Sequence, residues 1–72
     1  MDNDNLIRMA NQIGVFFESM PDRKEALEGL ATHLKKFWDP RMRRALLEQV
    51  DGGNVSLSPM VLSAVQVHRA ML

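Results

Sequence analysis

Leu27-Glu28-Gly29-Leu30-Ala31-Thr32-His33-Leu34-Lys35-Lys36-Phe37-Trp38-Asp39-Pro40 is the stretch that decides the fold. Leu27, Leu30, Ala31, Leu34, Phe37 and Trp38 recur at intervals that place them on one face of a helix spanning roughly 22–38. Asp39-Pro40 ends that helix and begins another. The residue before a proline is pushed out of the α region, so Asp39 becomes an N-cap. Pro40 then fits the first helical position, where a backbone donor is not needed.

Outward from this corner the same grammar repeats. Met42, Leu46 and Val50 form the apolar stripe of a helix over 40–51, and Asp51-Gly52-Gly53-Asn54 supplies its C-cap and a loop. Ser58-Pro59 is a second cap-and-proline start, for a helix over 59–71. On the other side, Leu6, Met9, Ala10, Ile13, Phe17 and Met20 fall within an arc of about 100° on a helix over 5–20, with Phe16 widening its edge. Asn3 to Asn5 offer cap oxygens there. Pro21 interrupts the pattern and fits the first turn of the next helix, with Asp22 where an acid favours the dipole. There is no internal repeat, low-complexity tract or strand-like alternation. The expectation is an all-α bundle of four helices in a single domain, 1–72, with 1–4 as a flexible lead-in.

Seventy-two residues bury a small fraction of their surface, so stability in isolation is marginal. Such domains usually add disulfides, a structural metal or a partner. The chain has no cysteine, which removes the first and the thiolate metal sites as well. The start is acidic and polar with no apolar h-region, and the longest apolar run, 13–17, is far too short to span a bilayer. A soluble cytoplasmic protein is expected. Nine basic and nine acidic side chains leave a formal charge of zero, which argues against bulk attraction to nucleic acid or to a membrane.

The last helix carries more apolar surface than one stripe. Val61, Val65 and Leu72 lie on a line with His68, and Met60, Ala64, Val67 and Met71 form a second line beside it. Ile7 and Val15 are off-face on the first helix in the same way. Two readings are open: the helix is central in the bundle, or Met60, Ala64, Val67, Met71, Ile7 and Val15 form a partner interface. Methionine suits either, because it fills irregular contacts.

Few side chains carry chemistry. His33 and His68 are 35 residues apart with no cysteine beside them, so the spacing of a zinc site is absent. Both read as edge or core histidines. The four serines and one threonine lie in caps, turns or solvated faces, with no nucleophile elbow. Gly52-Gly53 follows a helix as a C-cap and does not form a phosphate loop. No catalytic residue and no metal ligand is expected. The exception to blandness is Lys35, Lys36, Arg41, Arg43 and Arg44, five of the nine basic residues within ten positions, straddling Phe37-Trp38-Asp39-Pro40. Guanidinium groups beside a helix start suit an anion or a partner carboxylate; the plain alternative is a solvated face compensated by Glu48, four residues after Arg44.

Arg8-Met9-Ala10-Asn11-Gln12-Ile13 with Phe16-Phe17, then Phe37-Trp38-Asp39-Pro40-Arg41-Met42-Arg43, and more loosely Leu57-Ser58-Pro59 with Val61-Leu62, give the chain a family resemblance. It resembles the delta subunits of NAD-dependent formate dehydrogenases from about residue 6 to 62. Ser58 stands where that pattern is expected to carry Asp, and both cap helices. The resemblance implies an accessory subunit of a soluble cytoplasmic complex. Its large alpha subunit would hold a bis-molybdopterin guanine dinucleotide and iron–sulfur clusters, with electrons passing to NAD through FMN in other subunits. The delta subunit would bind the alpha subunit and support assembly, stability or cofactor loading without a redox step. Two further readings stand beside it: a chaperone whose arginines touch the molybdenum cofactor's pyrophosphates, and a plain helical homo-oligomer.

Overall fold

Each helix starts on a side-chain cap. The computed structural model describes residues 2–72, in which α1 (Asn3–Glu18), α2 (Arg23–Phe37), α3 (Pro40–Asp51) and α4 (Pro59–Val67) are followed by one 3-10 turn, Arg69–Met71. Asp39 Oδ1 accepts from Met42 N at 2.9 Å and Ser58 Oγ accepts from Val61 N at 3.3 Å, so both proline starts form as expected. Asp22 caps α2 through Glu25 N at 3.2 Å, which leaves Pro21 one position before the cap and outside the first turn. Asp2, and not Asn3 to Asn5, caps α1 by accepting from Asp4 N at 3.0 Å and Asn5 N at 3.4 Å. The helix thus begins within the segment assigned to a lead-in, of which Met1 lies outside the described residues.

α3 ends through Gly53, whose φ of 72° is the one left-handed conformation among the described residues. α4 stops at Val67, four residues short of the expected end. His68 breaks the α geometry, and Met71 N then bonds His68 O at 2.9 Å in a tighter turn. Beyond the break, Arg69 reaches Asp51 at the end of α3 with two bonds of 2.9 and 2.7 Å.

The core decides the question left open about α4. This helix packs against α1, α2 and α3, and Met60, Val61, Ala64 and Val65 are all buried. It is the central helix. Its buried residues fall on both apolar lines, so Met60 and Ala64 are not surplus surface, while Val67 at the end of the second line stays exposed. Ile7 is likewise buried, in the same cluster as Leu6 and Ala10. Around this centre Leu30, Leu34 and Leu46 are fully enclosed, each worth about 1.5–3 kcal/mol of burial.

Glycines permit two of the closest approaches. A Cβ on Gly14 would sit 3.1 Å from Val61 Cγ2 on α4, and a Cβ on Gly29 would sit 2.7 Å from Phe17 Cε1 across the α1–α2 seam.

Candidate interaction surface

Adjacent residues Phe37 and Trp38 have opposite fates. Both belong to the predicted stripe of α2, yet Trp38 is 7% exposed and Phe37 is 72% exposed. The chain leaves the helix at Trp38, whose φ of −92° and ψ of 137° swing the indole into the core. Nothing covers the last turn of α2 at Phe37. The expectation of a buried Phe37 is therefore corrected: a helix wheel fixes its angle at the edge of the stripe, but not whether a neighbouring helix covers that edge.

The exposed ring is the end of a row. Phe16 meets Phe17 edge-on with centroids 5.0 Å apart, Phe17 lies 6.2 Å from His33, and His33 lies 4.8 Å from Phe37. Phe16 is also exposed, while Phe17 and His33 between them are half-buried. The row follows the α1–α2 seam, and it includes His33 as a packed ring at the edge of the bundle.

The basic cluster divides. Lys35, Lys36, Arg41 and Arg44 are exposed, and none forms an ion pair; the only one among the described residues is Arg69–Asp51. Arg44 and Glu48 do not pair, so the compensated-face reading fails in that detail. Arg43 turns inward instead. Its guanidinium donates to Trp38 O at 2.8 Å and Lys35 O at 3.1 Å, carbonyls that α2 leaves without helical partners at its C-terminus. Its Nε is buried without a partner. Arg43 thus pins the α2–α3 corner and does not stand beside Arg41 and Arg44 as a third free cation.

Asn11 carries a role that no sequence signal announced. Its Nδ2 donates to Ser56 O at 2.8 Å and its Oδ1 accepts from Ser58 N at 2.9 Å. The two bonds bracket Leu57 and hold that buried side chain in the core. The partners lie 45 and 47 residues away, beyond the reach of any local pattern. Beside this latch runs an open groove of about 560 Å³ that Asp4, Ile7, Arg8, Gln12 and Val15 help to line. Of the residues expected at an interface, Val15 and Val67 are exposed and Met71 is half-buried.

The model of a family described as "NADH-dependant formate dehydrogenase delta subunit FdsD" matches residues 5–65, most of the chain. The chain belongs to this delta subunit family. No curated protein and no solved structure gave a match. The family match takes in α1 from Asn5 onward, all of α2 and α3, and α4 up to Val65, so the aromatic row, the basic corner and the Asn11 latch fall inside it. Val67, Met71 and the Arg69 end of the ion pair fall outside. Among the described residues of this delta-family chain, no three His, Asp or Glu side chains converge as a metal site would require, and no helix is long and apolar enough to cross a membrane.

One pair of titrating groups is perturbed. The bidentate bonds from Arg69 hold the Asp51 carboxyl below its ordinary value, and the same hydrogen bonds and charge raise the Arg69 guanidinium. Both groups are solvent-exposed, so water and salt screen the gain.

Proposed function

We propose that this chain is a non-catalytic accessory subunit that binds the large molybdenum-containing alpha subunit of a cytoplasmic formate dehydrogenase and supports its assembly, stability or cofactor loading. The observation that carries this reading is the membership of the delta subunit family over residues 5–65. The surface supports it physically. A chain of 72 residues buries a small fraction of its surface, and Phe16, Phe37, Val15, Val55 and Val67 are exposed apolar side chains that a partner would cover.

In this reading bis-molybdopterin guanine dinucleotide, iron–sulfur clusters, FMN and NAD belong to the other subunits. The sequence has no cysteine, so this chain offers no thiolate to a cluster. The test is affinity purification of the tagged chain from the cells that make it, with identification of what accompanies it. Recovery of the alpha subunit in fixed stoichiometry is expected, with no formate oxidation by the isolated chain. Recovery of the chain alone, as a monomer or as copies of itself, would overturn the proposal.

A further inference from the structure

We infer that the α2–α3 corner docks on an acidic protein surface, with the Phe37 ring entering an apolar socket and Lys35, Lys36, Arg41 and Arg44 pairing with carboxylates around it. This rests on the reading of the chain as a subunit bound to the alpha subunit, and it names the surface and the chemistry of that contact.

Charge complementarity selects the occupant. Between residues 35 and 44 the only acid is Asp39, and its carboxylate accepts from the Met42 backbone. Lys35, Lys36, Arg41 and Arg44 are exposed and form no ion pair among the described residues, although the chain as a whole is neutral. Helix electrostatics accounts for half of them: Lys35 and Lys36 sit in the last turn of α2, where the negative end of the dipole favours cations. It does not account for Arg41 and Arg44. Arg41 stands in the first turn of α3, a positive helix end whose one nearby acid is the Asp39 cap, and Arg44 follows in the next turn, so the dipole favours neither.

Phe37 is the independent observation. A ring exposed to 72% and flanked in sequence by Lys35, Lys36 and Arg41 offers an apolar anchor beside polar side chains, the pairing on which protein interfaces are built. The corner is also rigid. Arg43 bonds carbonyls of two α2-end residues, Trp38 is buried behind the turn, and Asp39 caps α3, so little ordering is needed on binding.

The experiment co-expresses the alpha subunit with the wild-type chain, with Phe37→Ser, and with Lys36→Glu/Arg41→Glu/Arg44→Glu. Association is measured from low to high salt, and each free variant is checked by thermal melting. Every substituted side chain is exposed, so wild-type melting is expected. Each variant should weaken association by about tenfold or more, and wild-type binding should weaken as salt rises. If well-folded variants bind as the wild type does, the corner is not the contact, while the subunit reading survives. If the wild-type chain fails to bind the alpha subunit, the subunit reading fails and takes this one with it. Salt-sensitive binding of the wild type to single-stranded RNA or to anionic phospholipid vesicles, without binding to the alpha subunit, would also overturn it.

Discussion

α4 and the α1–α2 seam both carry apolar side chains beyond a single stripe, but only α4 buries its own, on both lines as far as Val65. α4 lies among three helices, so Met60, Val61, Ala64 and Val65 each find a wall inside the chain. The seam is an edge. Phe16 and Phe37 sit at the two ends of its aromatic row and stay in water, with Phe17 and His33 half-covered between them. Surplus apolar composition alone does not mark a binding surface; what matters is how many neighbours the fold places around the element that carries it.

The sharpest way to break this comparison uses the two adjacent aromatics. Trp38→Ala should cost about 3–5 kcal/mol and leave so small a domain largely unfolded, whereas Phe37→Ala should stay within about 0.5 kcal/mol. Urea unfolding followed by circular dichroism measures both. Equal losses would mean that the seam is core after all.

A second pair probes α4 in the same way. Met60→Ala should cost about 2–5 kcal/mol, because its side chain is enclosed, while Val67→Glu should change stability by about 0.5 kcal/mol or less. A large loss from Val67→Glu would show that the exposed end of α4 is packed in solution.

The glycines compare the two helix contacts directly. In Gly14→Ala the new methyl meets Val61, which is fully buried and has nowhere to move. Overpacking of about 1–3 kcal/mol should outweigh the roughly 1 kcal/mol gained in helix propensity. In Gly29→Ala the clash is nearer, but Phe17 is only half-buried and its ring swings outward. The net change should be below about 1 kcal/mol, with the displaced ring visible as shifted Phe17 and His33 side-chain resonances. The reverse order of the two losses would place the rigid contact at the seam.

The smallest effect concerns Asp51 and Arg69, which tie the turn after α4 to α3. Because Asp51 titrates lower in the folded chain, its contribution is present above the ordinary value near 3.8 and is lost as pH falls through the folded value. Asp51→Asn should therefore lower the urea midpoint slightly at pH 7, and the difference from wild type should shrink below pH 4 and in high salt.

Local chemistry made much of the fold legible. Asp39-Pro40 and Ser58-Pro59 announce helix starts because a cap oxygen and a missing donor act within one turn, and both formed as read. The periodicity of Leu30, Leu34 and Leu46 likewise identifies core residues on any helix of those bounds. The resemblance string around Trp38 led to the family that the match over 5–65 establishes.

What only the tertiary structure decided is where each element sits and which side chains it leaves uncovered. A wheel fixes an angle about one helix axis, not the number of helices around it, so it could not place Met60, Ala64 and Ile7 inside or Phe37 outside. Arg43 and Asn11 make the same point for polar groups. Their partners are backbone atoms, one set across a turn and the other more than forty residues away, and backbone atoms leave no mark on a sequence. The sequence by itself determined the helices, the two proline starts and the basic cluster, because those depend on neighbours in the chain; three-dimensional packing decided which carbonyls Arg43 reaches and left Lys35, Lys36, Arg41 and Arg44 exposed.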